Sequence, residues 1–265
     1  MSKAAIQNLD CSSFLSQVAA AKERVLLVDY DGTVAPFSPI RDRAYPYPKV
    51  RDLLRCIMTD CCTRLVVISG RPARAISPLL DLNPAPETWG THGLERLYPD
   101  GRYEGPEVSD DALAALFQAE ERLSQQGLGN LLESKPAAVA IHWRGLNPAD
   151  VFDIRTKAYK TLAPLASQSG LLLADFDGGV ELRLRSANKG DVVRTILSEL
   201  DADVPVAYLG DDTTDEDAFQ VLNGRGLTAL VRRKYRFTAA QVWLTPPDQL
   251  VGFLNAWIDV SRSTQ

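Results

Sequence analysis

The sequence predicts an α/β fold, a doubly wound, Rossmann-like parallel-sheet core with a smaller inserted α/β cap domain. Continuous apolar runs at Val25–Val28, Leu65–Ile68 and Pro205–Leu209 each follow a stretch of helical spacing, and each stops at a polar loop containing glycine. Apolar runs of this length read as strands buried on both faces, and their alternation with helices implies a parallel sheet. Ligands of such sheets bind outside the carboxyl ends of the strands, so all three loops are expected to face one crevice. The rhythm breaks once, between about Gly101 and Gly179, and that stretch is the expected insertion.

In chain order, Asp10–Lys22 carries Phe14, Leu15, Val18 and Ala19 at helical spacing, with Ser12 or Ser13 placed to cap it. The strand through Val25–Val28 follows. Val50–Asp60 is helical and leads into the second strand, which ends at Ser69-Gly70. Within the insertion the pattern gives a helix over Ser109–Gln125, a strand over Ala137–Trp143, a helix over Pro148–Ser167 and strand-like pieces at Leu171–Ala174 and Val180–Arg185. Lys189–Leu200 is a helix, and Pro205–Leu209 is the strand before Gly210-Asp211-Asp212. The core is therefore assigned to residues 1–100 and 184–265 and the cap to 101–183; one continuous domain of unusual order is the alternative.

The 265 residues are 45% hydrophobic and 24% charged, enough to bury a substantial core, and the net charge is −5. That balance argues against a nucleic-acid partner or an anionic membrane surface, which call for clustered Lys and Arg. No run approaches the ~18 apolar residues of a membrane span, and no apolar segment follows Lys3, so the expectation is a soluble, cytoplasmic protein. Cys11, Cys56, Cys61 and Cys62 include no C-x-x-C pair, which leaves no zinc or dithiol signature.

The chemistry sits at the strand ends. Asp29 and Asp31 in Asp29-Tyr30-Asp31-Gly32-Thr33 alternate onto one side of a near-extended backbone, and Gly32 lets the chain turn away. Ser69-Gly70-Arg71-Pro72 offers a hydroxyl, a backbone N–H beside Gly70 and a helix start, which reads either as an anion site or as an ordinary N-cap. Lys189-Gly190 opens another helix. Gly210–Asp217 packs five carboxylates, Asp211, Asp212, Asp215, Glu216 and Asp217, into seven consecutive positions after a buried strand. Such repulsion calls for a cation, and hard oxygen ligands suit Mg2+. Glu216 and Asp217 are also placed to complement a helix N-terminus.

In this order, DYDGT, ISGR, NKG and GDDTTDE resemble the four motifs of the haloacid dehalogenase superfamily. The resemblance implies Asp29 as nucleophile and Asp31 as general acid and base. It also implies Mg2+ held by Asp29, the backbone carbonyl of Asp31 and Asp211, with Asp212 and Asp215 behind them, and phosphate held by Ser69, Gly70 and Lys189. A carboxylate and a phosphate charge about 3.5 Å apart repel by roughly 5 kcal/mol at an effective dielectric near 20, so an anionic nucleophile needs those cations.

Within the superfamily the sequence is similar to trehalose-6-phosphate phosphatases in Gly90-Thr91-His92-Gly93, Glu133-Ser134-Lys135, His142-Trp143-Arg144 and Gly210–Phe219. The substrate implied is a small phosphorylated sugar, trehalose 6-phosphate, with Glu133, Lys135 and Glu181, and also Arg144 and His142, as sugar ligands. His142 and Arg144 share one strand face that would be polar in any case. His92 is expected to fix the loop before the cap, and Trp143 to lie in the cap core. One departure is that Glu181-Leu182-Arg183 continues as Leu184-Arg185, without the Pro expected soon after the first Arg. Phosphatases of sucrose 6-phosphate or glycosyl phosphoglycerates share such a core. A catalytically silent regulatory domain and a sugar phosphomutase are the alternatives of a different class.

Overall fold

In the strand Arg24–Asp29 (β1), Leu26 and Val28 pack into one apolar cluster while Val25 and Leu27 pack into another. A strand covered on both faces must look like this, and it is why the run is continuously apolar. The computed structural model describes residues 11–106, 108–184 and 188–262. It divides into two compact units, Met1–Tyr103 with Asn188–Gln265, and Glu104–Ala187.

The first unit begins with α1 (Ser12–Ala20), β1, α2 (Val50–Asp60), β2 (Thr63–Ile68), α3 (Ala73–Leu80), β3 (Glu87–Gly90), β4 (Glu95–Leu97) and β5 (Tyr103–Glu104). The second unit contributes α4 (Asp110–Gln125), β6 (Leu132–Lys135), β7 (Ala138–His142), α5 (Pro148–Ser169), β8 (Leu171–Phe176) and β9 (Gly179–Leu184). The remainder of the first unit is α6 (Lys189–Ser198), β10 (Val206–Gly210), α7 (Glu216–Leu222), β11 (Leu227–Val231), β12 (Val242–Leu244) and α8 (Asp248–Arg262).

The large sheet has the order β12-β11-β10-β1-β2-β3-β4-β5. Its six parallel strands, counted along the chain, stand in the order 3-2-1-4-5-6, which is the doubly wound arrangement. Helices α1, α2, α3 and α8 cover one face and α6 and α7 the other. The sheet is mixed rather than purely parallel: β4 returns antiparallel to β3. A connection as short as the turn at 91–93 reverses the chain, and a parallel neighbour would need a crossover of a dozen residues or more.

The second unit is a four-stranded antiparallel sheet, β6-β7-β9-β8, with α4 and α5 on one face. Val139, Ile141, Val180 and Leu182 point into that helical side and are buried with Ala119, Leu123, Ala158 and Leu162. Ser109 caps α4 by accepting the Ala112 N–H at 3.3 Å, and Asn147 caps α5 by accepting two N–H groups at 3.1 and 3.0 Å. Strand β6 has no counterpart in the sequence reading, because its four residues, Leu-Glu-Ser-Lys, carry too little apolar pattern to register. Beyond Gly210 that reading also places no strands, whereas β11, β12 and α8 complete the core. The N-cap of α1 is Cys11 rather than Ser12 or Ser13, with no side-chain bond. Asp10 and Arg185, which the sequence reading gave to a helix and a strand, lie outside the described residues.

Candidate active site

The order 3-2-1-4-5-6 reverses between β1 and β10, so the loops leaving these neighbours diverge and open a crevice at the carboxyl ends. Asp29 closes β1, and Asp211 directly follows β10. The alternation that turns Val25 and Leu27 towards α6 turns Asp29 to the same side. There Lys189, at the start of α6, donates to Asp29 Oδ1 at 2.6 Å and to Asp215 Oδ1 at 2.7 Å. Thr33 Oγ1 donates to the other Asp29 oxygen at 3.0 Å.

Asp215 is fully enclosed and is the most heavily bonded carboxylate of the group. Besides Lys189 it accepts the Tyr208 hydroxyl at 2.6 Å and the N–H groups of Asp211 and Asp212 at 3.0 and 2.9 Å. These bonds curl the acidic loop back on itself. Asp212 accepts the Thr213 N–H at 2.7 Å and forms a capping box with Asp215. Carboxylate oxygens of Asp29, Asp211 and Asp215 lie within 4.8 Å of one another.

Three buried carboxylates share one ammonium, so ionising all three would leave two negative charges in excess of it. The pKa shifts follow from burial first and then from that imbalance. Burial raises Asp29 to about 7, with Lys189 pulling it down and Asp215 and Asp31 pushing it up. Burial, then the charges of Asp29 and Asp215, hold Asp211 well above the usual carboxylate range. Asp215 is lowered instead: burial opposes its charge, but Lys189 and the donors around it outweigh burial. Lys189 is raised, because Asp215 and Asp29 outweigh the burial that would lower it.

Asp211 Oδ2 is buried with no hydrogen-bond partner among the described residues, and Arg232 Nη1 stands 4.0 Å from it. A buried carboxylate oxygen left without a hydrogen-bond donor, among three carboxylates with one ammonium between them, fits a divalent cation such as Mg2+. Gly32 is required beside it. Its φ is +89°, and a Cβ there would lie 2.2 Å from Asp211 Oδ2.

Asp31 does not join this cluster through its carboxylate. Arg71 grips it in a bidentate pair, Nε to Oδ2 at 2.6 Å and Nη2 to Oδ1 at 2.7 Å. Ser69 is buried at the start of the loop after β2, and its Oγ accepts the Arg71 N–H at 3.1 Å. The helix-cap reading of Ser69 therefore fails: α3 starts at Ala73 with Pro72 as its N-cap. The turn 91–93 is docked on this loop, with Thr91 N–H donating to Arg71 O at 2.8 Å and His92 N–H to Ser69 O at 3.0 Å. Thr91 and His92 both have positive φ, 46° and 57°, and Glu95 secures the strained turn by accepting the Thr91 hydroxyl at 2.6 Å. The His92 ring lies against Gly70, where a Cβ would come within 2.8 Å of it. His92 thus braces the loop 69–71.

In the second unit, strand register assembles a separate polar group. Glu133 pairs with Ala140 and Ala140 with Glu181, while Lys135 pairs with Ala138 and Ala138 with Arg183. These positions lie on the sheet face away from α4 and α5, and the alanines between them leave room for long side chains. Lys135 bonds Glu181 and lies 3.5 Å from Glu133; His142 Nε2 is 3.2 Å from Glu133 Oε2, and Arg183 Nε is 3.8 Å from Glu181 Oε2. Glu133, Lys135, Glu181 and His142 are thus brought together. The guanidinium of Arg144 instead bonds the carbonyl of Asp177 in the β8–β9 turn.

A family model described as Trehalose-phosphatase matches residues 27–240. The chain belongs to the trehalose-phosphatase family. It is 29% identical over 256 residues to a trehalose-phosphate phosphatase of Mycobacterium tuberculosis, covering 91% of this chain and 63% of that protein. The chain therefore spans somewhat less than two thirds of the mycobacterial protein's length. A probable trehalose-phosphate phosphatase E of Arabidopsis thaliana is 26% identical over 260 residues, 91% of this chain and 72% of that one. The fold matches that of Aspergillus fumigatus trehalose-6-phosphate phosphatase with a TM-score of 0.67 at 24% identity, covering 96% of this chain and 98% of that one. It also matches the C-terminal domain of a Candida albicans trehalose synthase regulatory protein with a TM-score of 0.72 at 14% identity, covering 94% and 99%.

Within this family's motifs, sequence reasoning singled out neither Thr33 nor Arg71, although both sit inside DYDGT and ISGR. Tyr208 carried a usable signal, since a buried tyrosine near a strand end needs a partner for its hydroxyl. Arg183 becomes visible only through register.

The raised carboxyls predict an unusual pH response for this family member without metal. The folded state keeps a proton on Asp29 up to about pH 7, whereas an unperturbed Asp releases it near 3.8. Stability from this site is therefore complete below 3.8 and is lost as pH rises towards 7, and Asp211 acts with the same sign. Asp215, being lowered, loses its contribution only at pH below 3.8. Thermal melting in chelator is expected to show the midpoint falling from pH 5 to 7.5, with a shallower fall in Asp211→Asn. A midpoint that rises over this range contradicts the reading.

Proposed function

We propose that the chain hydrolyses trehalose 6-phosphate to trehalose and inorganic phosphate. The observation that carries the reaction class is the buried Asp29–Lys189–Asp215–Asp211 group at the switch point of a trehalose-phosphatase family fold. Asp29 is the nucleophile. Its carboxylate oxygen forms a bond to phosphorus while the bond from phosphorus to the sugar oxygen breaks, and Asp31 gives that departing oxygen a proton. Asp31 then takes a proton from water, whose oxygen attacks phosphorus and releases the Asp29 carboxylate and phosphate. Arg71 donates to both oxygens of Asp31, each of which keeps a second lone pair that can take the proton. Ser69, the Gly70 N–H and Lys189 hold the phosphoryl oxygens.

Asp29, the main-chain carbonyl of Asp31 and Asp211 would hold Mg2+, backed by Asp212 and Asp215. When bound, the ion offsets the repulsion between carboxylate and phosphate. The second unit acts as the specificity cap. Glu133, Lys135 and Glu181, with His142, offer paired acceptors and donors suited to sugar hydroxyls, while Arg144 stands in the turn after β7 with its guanidinium on the Asp177 carbonyl.

The test is phosphate release from trehalose 6-phosphate, sucrose 6-phosphate, glucosyl-3-phosphoglycerate and glucose 6-phosphate, with Mg2+ and with chelator. Release is expected to depend on Mg2+, and kcat/KM for trehalose 6-phosphate to exceed that for glucose 6-phosphate by about 100-fold or more, as a site built for a second sugar requires. Preference for another ester replaces the sugar assignment. No release from any ester, with metal bound, removes the hydrolytic reading.

A further inference from the structure

Asp211 leaves a question that the metal-dependent reading alone does not answer. Its Oδ2 has no hydrogen-bond partner among the described residues, yet it is carried on a loop with carboxylates at 211, 212, 215, 216 and 217. Repulsion within the loop works to swing such a carboxylate away. Arg232 Nη1 pairs with Oδ2 only at 4.0 Å, beyond hydrogen-bond range, and a closer ion pair would occupy the oxygen that a cation needs.

The structure makes its hydrogen bonds to the loop's main chain. Arg236 spreads its guanidinium over the acidic segment, with Nε donating to Asp211 O at 3.3 Å and Nη2 to Asp212 O at 2.6 Å. Nη1 bonds the Glu216 carboxylate and the Phe237 carbonyl, the latter at 2.9 Å. The second oxygen of Glu216 accepts the Ala239 N–H at 2.8 Å, which ties the arginine's own loop to α7. Arg232 donates to the same Asp211 carbonyl at 3.2 Å. The two lone pairs of that carbonyl thus both have donors, and positive charge stands behind the loop without a hydrogen bond to Asp211's carboxylate.

We infer that Arg236, anchored by Glu216, is a positioning residue that fixes the main chain of Asp211 so that its Oδ2 stays clear of hydrogen bonds and available to a divalent cation. The inference rests on the metal-dependent reading above. It explains why a rigid planar fork is needed: Arg236 satisfies acceptors in three directions at once, which a lysine ammonium on a flexible stem does not reproduce. It also gives Glu216 a role beyond complementing the helix start.

The experiment titrates the full chain with Mn2+ by calorimetry in the absence of substrate, comparing the parent with Arg236→Lys, Arg236→Met, Glu216→Gln and Asp211→Asn. Circular dichroism and thermal melting check that each variant folds. Both Arg236 variants are expected to weaken the Mn2+ Kd by about 10–100-fold, the usual effect of losing an outer-shell partner, with Glu216→Gln between them and the parent. At saturating metal their KM for sugar phosphate is expected to stay at the parent value and their kcat to recover towards it. A folded Arg236→Lys with unchanged Mn2+ affinity overturns the inference. So does a raised KM for sugar phosphate with metal affinity intact, which would put Arg236 on the substrate. A parent that binds no Mn2+, or an Asp211→Asn variant that binds as the parent does, brings down the metal reading itself.

Discussion

Asp29→Asn is expected to cut kcat for phosphate release by on the order of 10,000-fold or more, the scale seen when a nucleophile is removed from a catalytic group that works as a unit. The amide is nearly isosteric with the carboxylate and can keep the Thr33 contact, but it offers phosphorus no anionic oxygen. Lys189 keeps its bond to Asp215 in the variant, so the fold is expected to survive. Steady-state phosphate release with circular dichroism checks both halves. Activity within about tenfold of the parent in a folded variant would remove Asp29 from the nucleophile's role.

Lys189→Met is the substitution expected to cost most in stability. The Lys189 side chain is 3% exposed, and its partners Asp29 and Asp215 are 6% and 0% exposed. Methionine fills the volume but leaves two buried carboxylates facing Asp211 with no ammonium among them. Breaking a buried pair in this way typically costs about 3–5 kcal/mol, because the remaining charge is uncompensated. Urea unfolding in chelator measures it, and a loss under about 1 kcal/mol would mean that water or Arg232 already compensates the cluster. Added Mg2+ is expected to recover part of the loss, since it supplies the missing positive charge to the same oxygens.

The two substitutions differ because Lys189 and Asp29 arrive by different routes. Asp29 is legible in the sequence: it ends a continuous apolar run, and Gly32 follows where the chain must turn. The meeting of Asp29 with Lys189 is not, since the two are 160 positions apart. Only the sheet order, with β10 beside β1 and α6 on the Val25–Leu27 face, brings them within bonding distance. The same limit explains Asp31. Alternation set its carboxylate beside that of Asp29, but Arg71, 40 residues on, claims it.

The second unit makes the point in a different way. Its helices were readable from apolar spacing, yet β6 was invisible, being four mostly polar residues at an edge. That strand carries Glu133 and Lys135, and its register through Ala138 and Ala140 is what sets them beside Glu181 and Arg183.

By itself, then, the sequence determined the α/β class and the strand ends that carry the candidate site, because strand burial and turns depend on neighbours a few positions away. Tertiary structure alone decided which carboxylate is satisfied and which is left open. Asp215 collects Lys189, Tyr208 and two backbone donors, while Asp211 keeps a bare oxygen. The physical reason is that hydrogen-bond satisfaction and desolvation are set by whatever surrounds a group in space, and in a doubly wound sheet those surroundings come from segments far apart in the chain.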